Sequence, residues 1–156
     1  MTSSAINLFF SPRRHYFVLG ASRSPEKYGN KVLKWYIDND LPVTPVNPDA
    51  TTEIYDLSPA DSLAEGLKAF SDEEHPEVSV SVVTAPNVTL REIQMVADNG
   101  VLRKIESFWL QPGTYDSDVI GFLDCFGFSK ANNNLIYDGD CILVSGSEGL
   151  KASNHL

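Results

Sequence analysis

The chain has 156 residues, 42% of them apolar and 21% charged, and a formal net charge of −9. That length fits one domain with a core over about residues 9–145, and the acidic balance argues against a nucleic-acid or anionic-membrane partner, which would need a basic face. No apolar run approaches the ~18 residues of a membrane span, and two cysteines, Cys125 and Cys141, are too few for a disulfide framework and lack metal-ligand spacing.

The amino-terminal segment has no acidic residue before Glu26, and Ser3, Ser4, Arg13 and Arg14 give it a faint transit-peptide character. Mitochondrial import is therefore the alternative to a cytoplasmic location. The cytoplasm is the expectation, because the first strand should open near His15 and leave little to cleave.

From there, short apolar runs alternate with helical patterns. HYFVLG (15–20) reads as a strand ending on Gly20. Ser24, Pro25 and Glu26 then read as the N-cap, first-turn proline and acidic first turn of a helix. That helix should bury Val32, Leu33, Tyr36 and Ile37 and stop at Asn39. PVTPVN (42–47) is the second strand, and TEIYDL (52–57) a short edge strand. Ser58-Pro59 should open a second helix with Leu63, Leu67 and Phe70 on one face. SDEEHPE (71–77) is a solvated loop before the strand VSVSVV (78–83). Thr89 and Glu92 have capping-box spacing for a helix that ends at Asn99-Gly100. KIESFWL (104–110) is a strand, Asp116 to Phe126 a helix, and a last strand lies within NLIYDGDCILVS (134–145).

This alternation predicts an α/β fold: a single doubly wound, mainly parallel, Rossmann-like sheet of five to six strands. With 52–57 as the third strand, the order is 3-2-1-4-5. Ligands bind such sheets outside the carboxyl ends of the strands, where the order reverses. The rule selects three loops: GASRSPEK, VNPD and TAPN.

In the first loop, Gly20 and Ala21 leave room for a ligand to approach the backbone. Ser22 offers a hydroxyl, the helix start offers free amides, and Arg23, Lys27 and Lys31 add positive charge. The loop fits neither G-x-G-x-x-G nor a P-loop ending in G-K-[ST]; a capped turn with solvated lysines is the alternative reading. In the second loop, Asn47-Pro48 stands where a dinucleotide fold places an acidic residue for the ribose, with Asp49 just beyond. Asn47 could pair with a base edge or simply form an Asn-Pro turn. The fourth strand ends in WLQPG, where Trp109 is as readily core as ligand wall.

No catalytic set emerges. His15, His75 and His155 lack spaced partners, and Cys141 follows the acidic Asp140, an unfavourable setting for a nucleophilic thiol. There is no G-x-S-x-G elbow, no metal-ligand cluster and no paired-carboxylate pattern.

Taken together, VLGASRSPEKYGNKVLKWY, LPVTPVNP, SVSVVTAPNVT, FWLQPG and DCILV resemble the CoA-binding domain family. This is the stand-alone version of the Rossmann-like module found at the amino end of the succinyl-CoA synthetase alpha subunit. The resemblance runs from about Phe9 to Val144. It implies coenzyme A across the switch point, with the diphosphate by Gly20, Ala21, Ser22 and Lys27. It further implies the adenosine end near Val46, Asn47 and Pro48, and the pantetheine arm past Thr84, Ala85, Pro86 and Gln111. Relatives often carry two prolines where this chain has Ala85-Pro86. The synthetase's catalytic histidine lies outside the matching segment. The expectation is a small-molecule binder of coenzyme A or an acyl-CoA without catalysis of its own or a metal. The alternatives are an NAD(P)-binding oxidoreductase domain and a scaffold that has lost its ligand.

Overall fold

Strand β1 (Arg14–Leu19) turns Tyr16 and Val18 to one face of a sheet and Phe17 and Leu19 to the other, and all four are buried. A strand apolar on both sides must be covered on both sides, and it is. In the computed structural model, which describes residues 4–139 and 141–154, five strands form one all-parallel sheet in the order β2-β1-β3-β4-β5. The others are β2 (Val43–Val46), β3 (Glu77–Val82), β4 (Ile105–Leu110) and β5 (Leu135–Ile136). Ser3, Asp140 and His155, singled out above, lie outside the described residues.

Helices α1 (Ser4–Phe9), α2 (Tyr28–Asp38) and α6 (Ile142–Asn154) contribute Phe9, Leu33, Tyr36 and Ile142 to the core on one face. Helices α3 (Leu63–Ala69), α4 (Pro86–Asp98) and α5 (Ser117–Cys125) contribute Leu67, Ile93 and Leu123 to the other. β3 shows the division of labour. Val78, Val80 and Val82 face α3–α5, whereas Ser79 and Ser81 face the aromatic side, where small residues leave room for Phe9, Tyr36 and Trp109. Each buried hydroxyl is satisfied: Ser79 Oγ donates to the Phe9 carbonyl at 2.7 Å, and Ser81 Oγ bonds the Tyr36 hydroxyl.

Several expected element boundaries are corrected. Residues 52–57 form no edge strand: Ile54 and Leu57 bond each other across Tyr55 and Asp56, whose φ values of 50° and 65° reverse the chain. The order expected for the remaining strands is the observed one. Helix α2 begins at Tyr28, not behind Ser24, because Lys27 N–H bonds the Ser24 carbonyl in a preceding turn. Helix α3 begins behind Ser62, whose Oγ accepts from Glu65 N–H at 3.1 Å. It cannot begin at Ser58-Pro59, since Ala60 is held extended along β2, its N–H on the Pro45 carbonyl. Helix α4 begins at Pro86; Thr89 lies inside it, and Glu92 caps α3 instead, accepting from Leu63 N–H at 3.0 Å. The last strand is only Leu135–Ile136, and the apolar run after Cys141 is α6. Its glycines make a helical reason for that composition: a Cβ at Gly146 would lie 2.7 Å from the Trp35 ring, and one at Gly149 2.3 Å from Ile6.

Candidate functional site

The parallel register aligns Val46, Leu19, Val82 and Leu110 as the last strand residues across the sheet. The residues just beyond them form one rim. Gly20 sits there with φ +100°, and a Cβ on it would press to 3.0 Å from Thr84 Cγ2. Glycine is what lets the ends of β1 and β3 come this close at the switch.

A second glycine, which spacing arguments missed, matters as much. A Cβ on Gly29 would lie 2.1 Å from the Gly20 carbonyl oxygen, so only glycine lets the first turn of α2 rest on the end of β1. The loop between them is sewn down by side chains. Asn30, 2% exposed, donates through Nδ2 to the Ser22 carbonyl at 2.9 Å and accepts from the Tyr55 hydroxyl at 2.6 Å. Ser22 Oγ accepts from Ser24 N–H at 3.1 Å. Asn47 Nδ2 donates to the Ala21 carbonyl at 2.8 Å, and its Oδ1 accepts from Asp49 N–H. Asn47 thus locks two rim loops together.

Arg23 donates to the carbonyls of Asp49 and Thr52 and lies 3.8 Å from the Asp49 carboxylate. Hydrogen bonds from Thr51, with the Arg23 charge a lesser influence, hold that carboxyl below its ordinary range. The carboxylate is occupied with its own loop. Lys27, the residue before α2, and Lys31 are exposed. Neither has an ion-pair partner among the described residues. They supply the mobile positive charge beside the helix start.

The structure brings Gly20, Val46, Pro48 and Thr84 together around a small enclosed pocket of about 70 Å³, with Arg91 and Glu92 on its α4 side. Thr84 is fixed by a 2.7 Å bond between its hydroxyl and that of Thr89. Ala85 and Pro86 follow as the cap and first residue of α4. Gln111 lies on the other side of the switch, fully buried. Its Oε1 accepts from Ile142 N–H at 2.8 Å and from the Tyr28 hydroxyl at 3.2 Å, tying β4 to the starts of α6 and α2. Burial, with the adjacent Cys141 thiol adding to it, raises the Tyr28 pKa and keeps the phenol protonated. Gln111 Nε2 has no acceptor among the described residues. Trp109, by contrast, is core: it is 1% exposed and meets Phe9 edge-on at 5.4 Å.

A broader trough of about 750 Å³ opens at the opposite end of β1, lined by His15, Glu65, Phe70 and Asp72 among others. It follows α3 from His15 to Asp61, and the carboxylates of Asp61, Glu65, Asp72 and Glu73 make it a poor place for an anionic nucleotide. Among the described residues, no group of three or more His, Cys, Asp or Glu could hold a metal ion, and no helix is long and apolar enough to cross a membrane.

Solved structures share this architecture. A conserved hypothetical protein from Pyrococcus furiosus is 29% identical, with a TM-score of 0.64 over 85% of this chain and 98% of its own. A hypothetical protein from Pyrococcus horikoshii is 20% identical, with a TM-score of 0.71 over 96% and 93%. A Thermus thermophilus protein is 19% identical, with a TM-score of 0.73 over 96% and 99%. A comparison with curated proteins found no match. The model of the CoA binding domain family matches residues 14–147, which span every strand and every rim loop described above. The chain belongs to the CoA binding domain family.

Proposed function

We propose that the protein binds coenzyme A or an acyl-CoA across the switch point and acts by binding, without chemical turnover of its own. The observation that carries this reading is the contact between Gly20 and Gly29. It sets the start of α2, with Lys27 and Lys31, directly on the rim of the family's ligand fold. A diphosphate lying across that helix end needs neither a second glycine in the β1 loop nor an enveloping P-loop. The adenosine end would use the pocket by Val46 and Pro48, beside Asn47, and the pantetheine arm would pass Thr84, Ala85 and Pro86 toward Gln111. A dinucleotide reading is less well supported, because the nearest carboxylate, Asp49, already serves Arg23 and Thr51.

The test is calorimetric titration with coenzyme A and with NAD. Coenzyme A should bind at least ~10-fold more tightly, about 1.4 kcal/mol. Lys27→Ala should cost on the order of 1–3 kcal/mol of coenzyme A binding. It should leave the melting temperature unchanged, since Lys27 is exposed and has no ion-pair partner among the described residues. Unchanged affinity in that folded variant would show that the diphosphate lies elsewhere.

A further inference from the structure

Two features meet at the far end of the rim. Gln111 is fully buried, yet its Nε2 reaches no acceptor among the described residues, although its Oε1 is pinned by two donors. A buried donor left unpaired costs about 1–3 kcal/mol, so an arrangement that fixes it there calls for an acceptor. Beside it stands a thiol. Cys141 directly precedes Ile142, whose N–H holds Gln111, and it lies against the Tyr28 hydroxyl. It remains half-exposed, so a reagent can reach it. The other cysteine, Cys125, is exposed at the end of α5, on the other face of the sheet.

We propose that Cys141 captures the thiol end of the coenzyme as a mixed disulfide, with Gln111 Nε2 donating to an amide carbonyl of the pantetheine arm. The inference rests on the coenzyme A reading above. The arm would leave the diphosphate at Lys27, pass the adjoining Tyr28, and end where Gln111 and Cys141 meet. The reaction is an exchange with coenzyme A disulfide. The Cys141 thiolate attacks one sulfur of that disulfide, the Cys141–coenzyme bond forms, and the original S–S bond breaks. The departing coenzyme A thiolate takes the proton that Cys141 lost. Cys141 is oxidised and the displaced sulfur is reduced, so no other oxidant is needed. Such exchange does not require an unusually acidic thiol, because nucleophilicity falls as acidity rises.

The experiment uses the intact wild-type chain. Incubation with coenzyme A disulfide, followed by intact mass and peptide mapping, should show one coenzyme moiety on Cys141, none on Cys125, and full release by dithiothreitol. Because binding places the two sulfurs together, labelling should run about tenfold or more faster than with glutathione disulfide. Excess desulfo-coenzyme A, which occupies the site but has no thiol, should slow it. Cys141→Ser should abolish the adduct. Equal labelling of both cysteines, or equal rates with the two disulfides, would overturn the proposal. Calorimetry with desulfo-coenzyme A separates the two levels. Binding without a Cys141 adduct refutes the capture alone, and no binding refutes the coenzyme A reading beneath it.

Discussion

At the scale of single residues, the same substitution should have opposite signs at two glycines. Gly29 and Gly121 both lie inside helices, where alanine is favoured by about 1 kcal/mol. A Cβ at Gly121 meets nothing within 4 Å, so Gly121→Ala should stabilise the fold by roughly that amount. A Cβ at Gly29 would overlap the Gly20 carbonyl at 2.1 Å, and rigid backbone cannot yield as a side chain does. Gly29→Ala should destabilise by about 1–3 kcal/mol and weaken coenzyme A binding, read from urea unfolding and titration. A neutral Gly29→Ala would mean that the helix start has slack. His15 makes a second prediction, about pH. Burial pushes its pKa down to about 4, and the attraction of Asp72, 3.6 Å away, does not restore it. The unfolded chain therefore takes up a proton near pH 6.5 that the folded chain refuses until about pH 4. The stability is present above pH 6.5 and is lost as pH falls toward 4. Between pH 7 and 5 the loss from this group should be about 2 kcal/mol. His15→Gln, which can still bond Thr44, should flatten that slope; an equal slope in the variant would assign the loss to other groups.

Elements are held by their ends, and there the structure and the sequence part company most. Ser62→Ala removes the hydroxyl that caps α3 and should cost about 1 kcal/mol, or roughly 2–4 °C in Tm for a chain of this size. Ser58→Ala should cost nothing measurable, because Ser58 caps no helix; comparable losses from the two would restore the earlier helix start. The sequence pattern opens this helix at Ser58-Pro59, and the fold opens it behind Ser62. The choice is made by Ala60, which pairs with β2 through hydrogen bonds to Pro45 and Asn47. A local pattern cannot contain that long-range pairing. The same holds at Glu92, whose carboxylate caps the neighbouring helix rather than its own. The strands were legible because short apolar runs such as VSVSVV alternate with helical patterns, and the sheet buries such runs on both faces. The helix expected from Asp116 to Phe126 is found between those residues, and the Asp116 carboxylate caps it by accepting from Val119 N–H at 3.0 Å. At the rim, Gly20, Asn47 and Thr84 lie in the loops that the switch-point rule selects, and Gln111 is implied by the family resemblance. Gly29, Asn30 and Tyr55 could not be selected, because their roles exist only once α2 lies on β1.

For the whole molecule, charge and topology pull in different directions. A net charge of −9 repels an anionic ligand at long range, while the reversal of strand order between β1 and β3 gathers Lys27 and Lys31 at the one helix start a ligand must meet. Salt distinguishes these contributions by their range. At 0.15 M ionic strength the screening length is about 8 Å, so the diffuse repulsion is already damped while contact between phosphate and lysine survives; at 1 M it is about 3 Å and the contact weakens too. Coenzyme A carries a 3′-phosphate that NAD lacks, worth roughly −1.5 to −2 charges at neutral pH. Over that window, the preference for coenzyme A should therefore shrink from ~10-fold or more toward a few-fold, a change on the order of 1 kcal/mol. Affinity for NAD should fall less, because it offers less charge to screen. Titration of both ligands at the two salt concentrations measures this directly. A preference that did not change with salt would mean that shape, and not the lysines at the start of α2, selects the ligand. Equal or tighter binding of NAD at 0.15 M would overturn the coenzyme A assignment in favour of the dinucleotide reading.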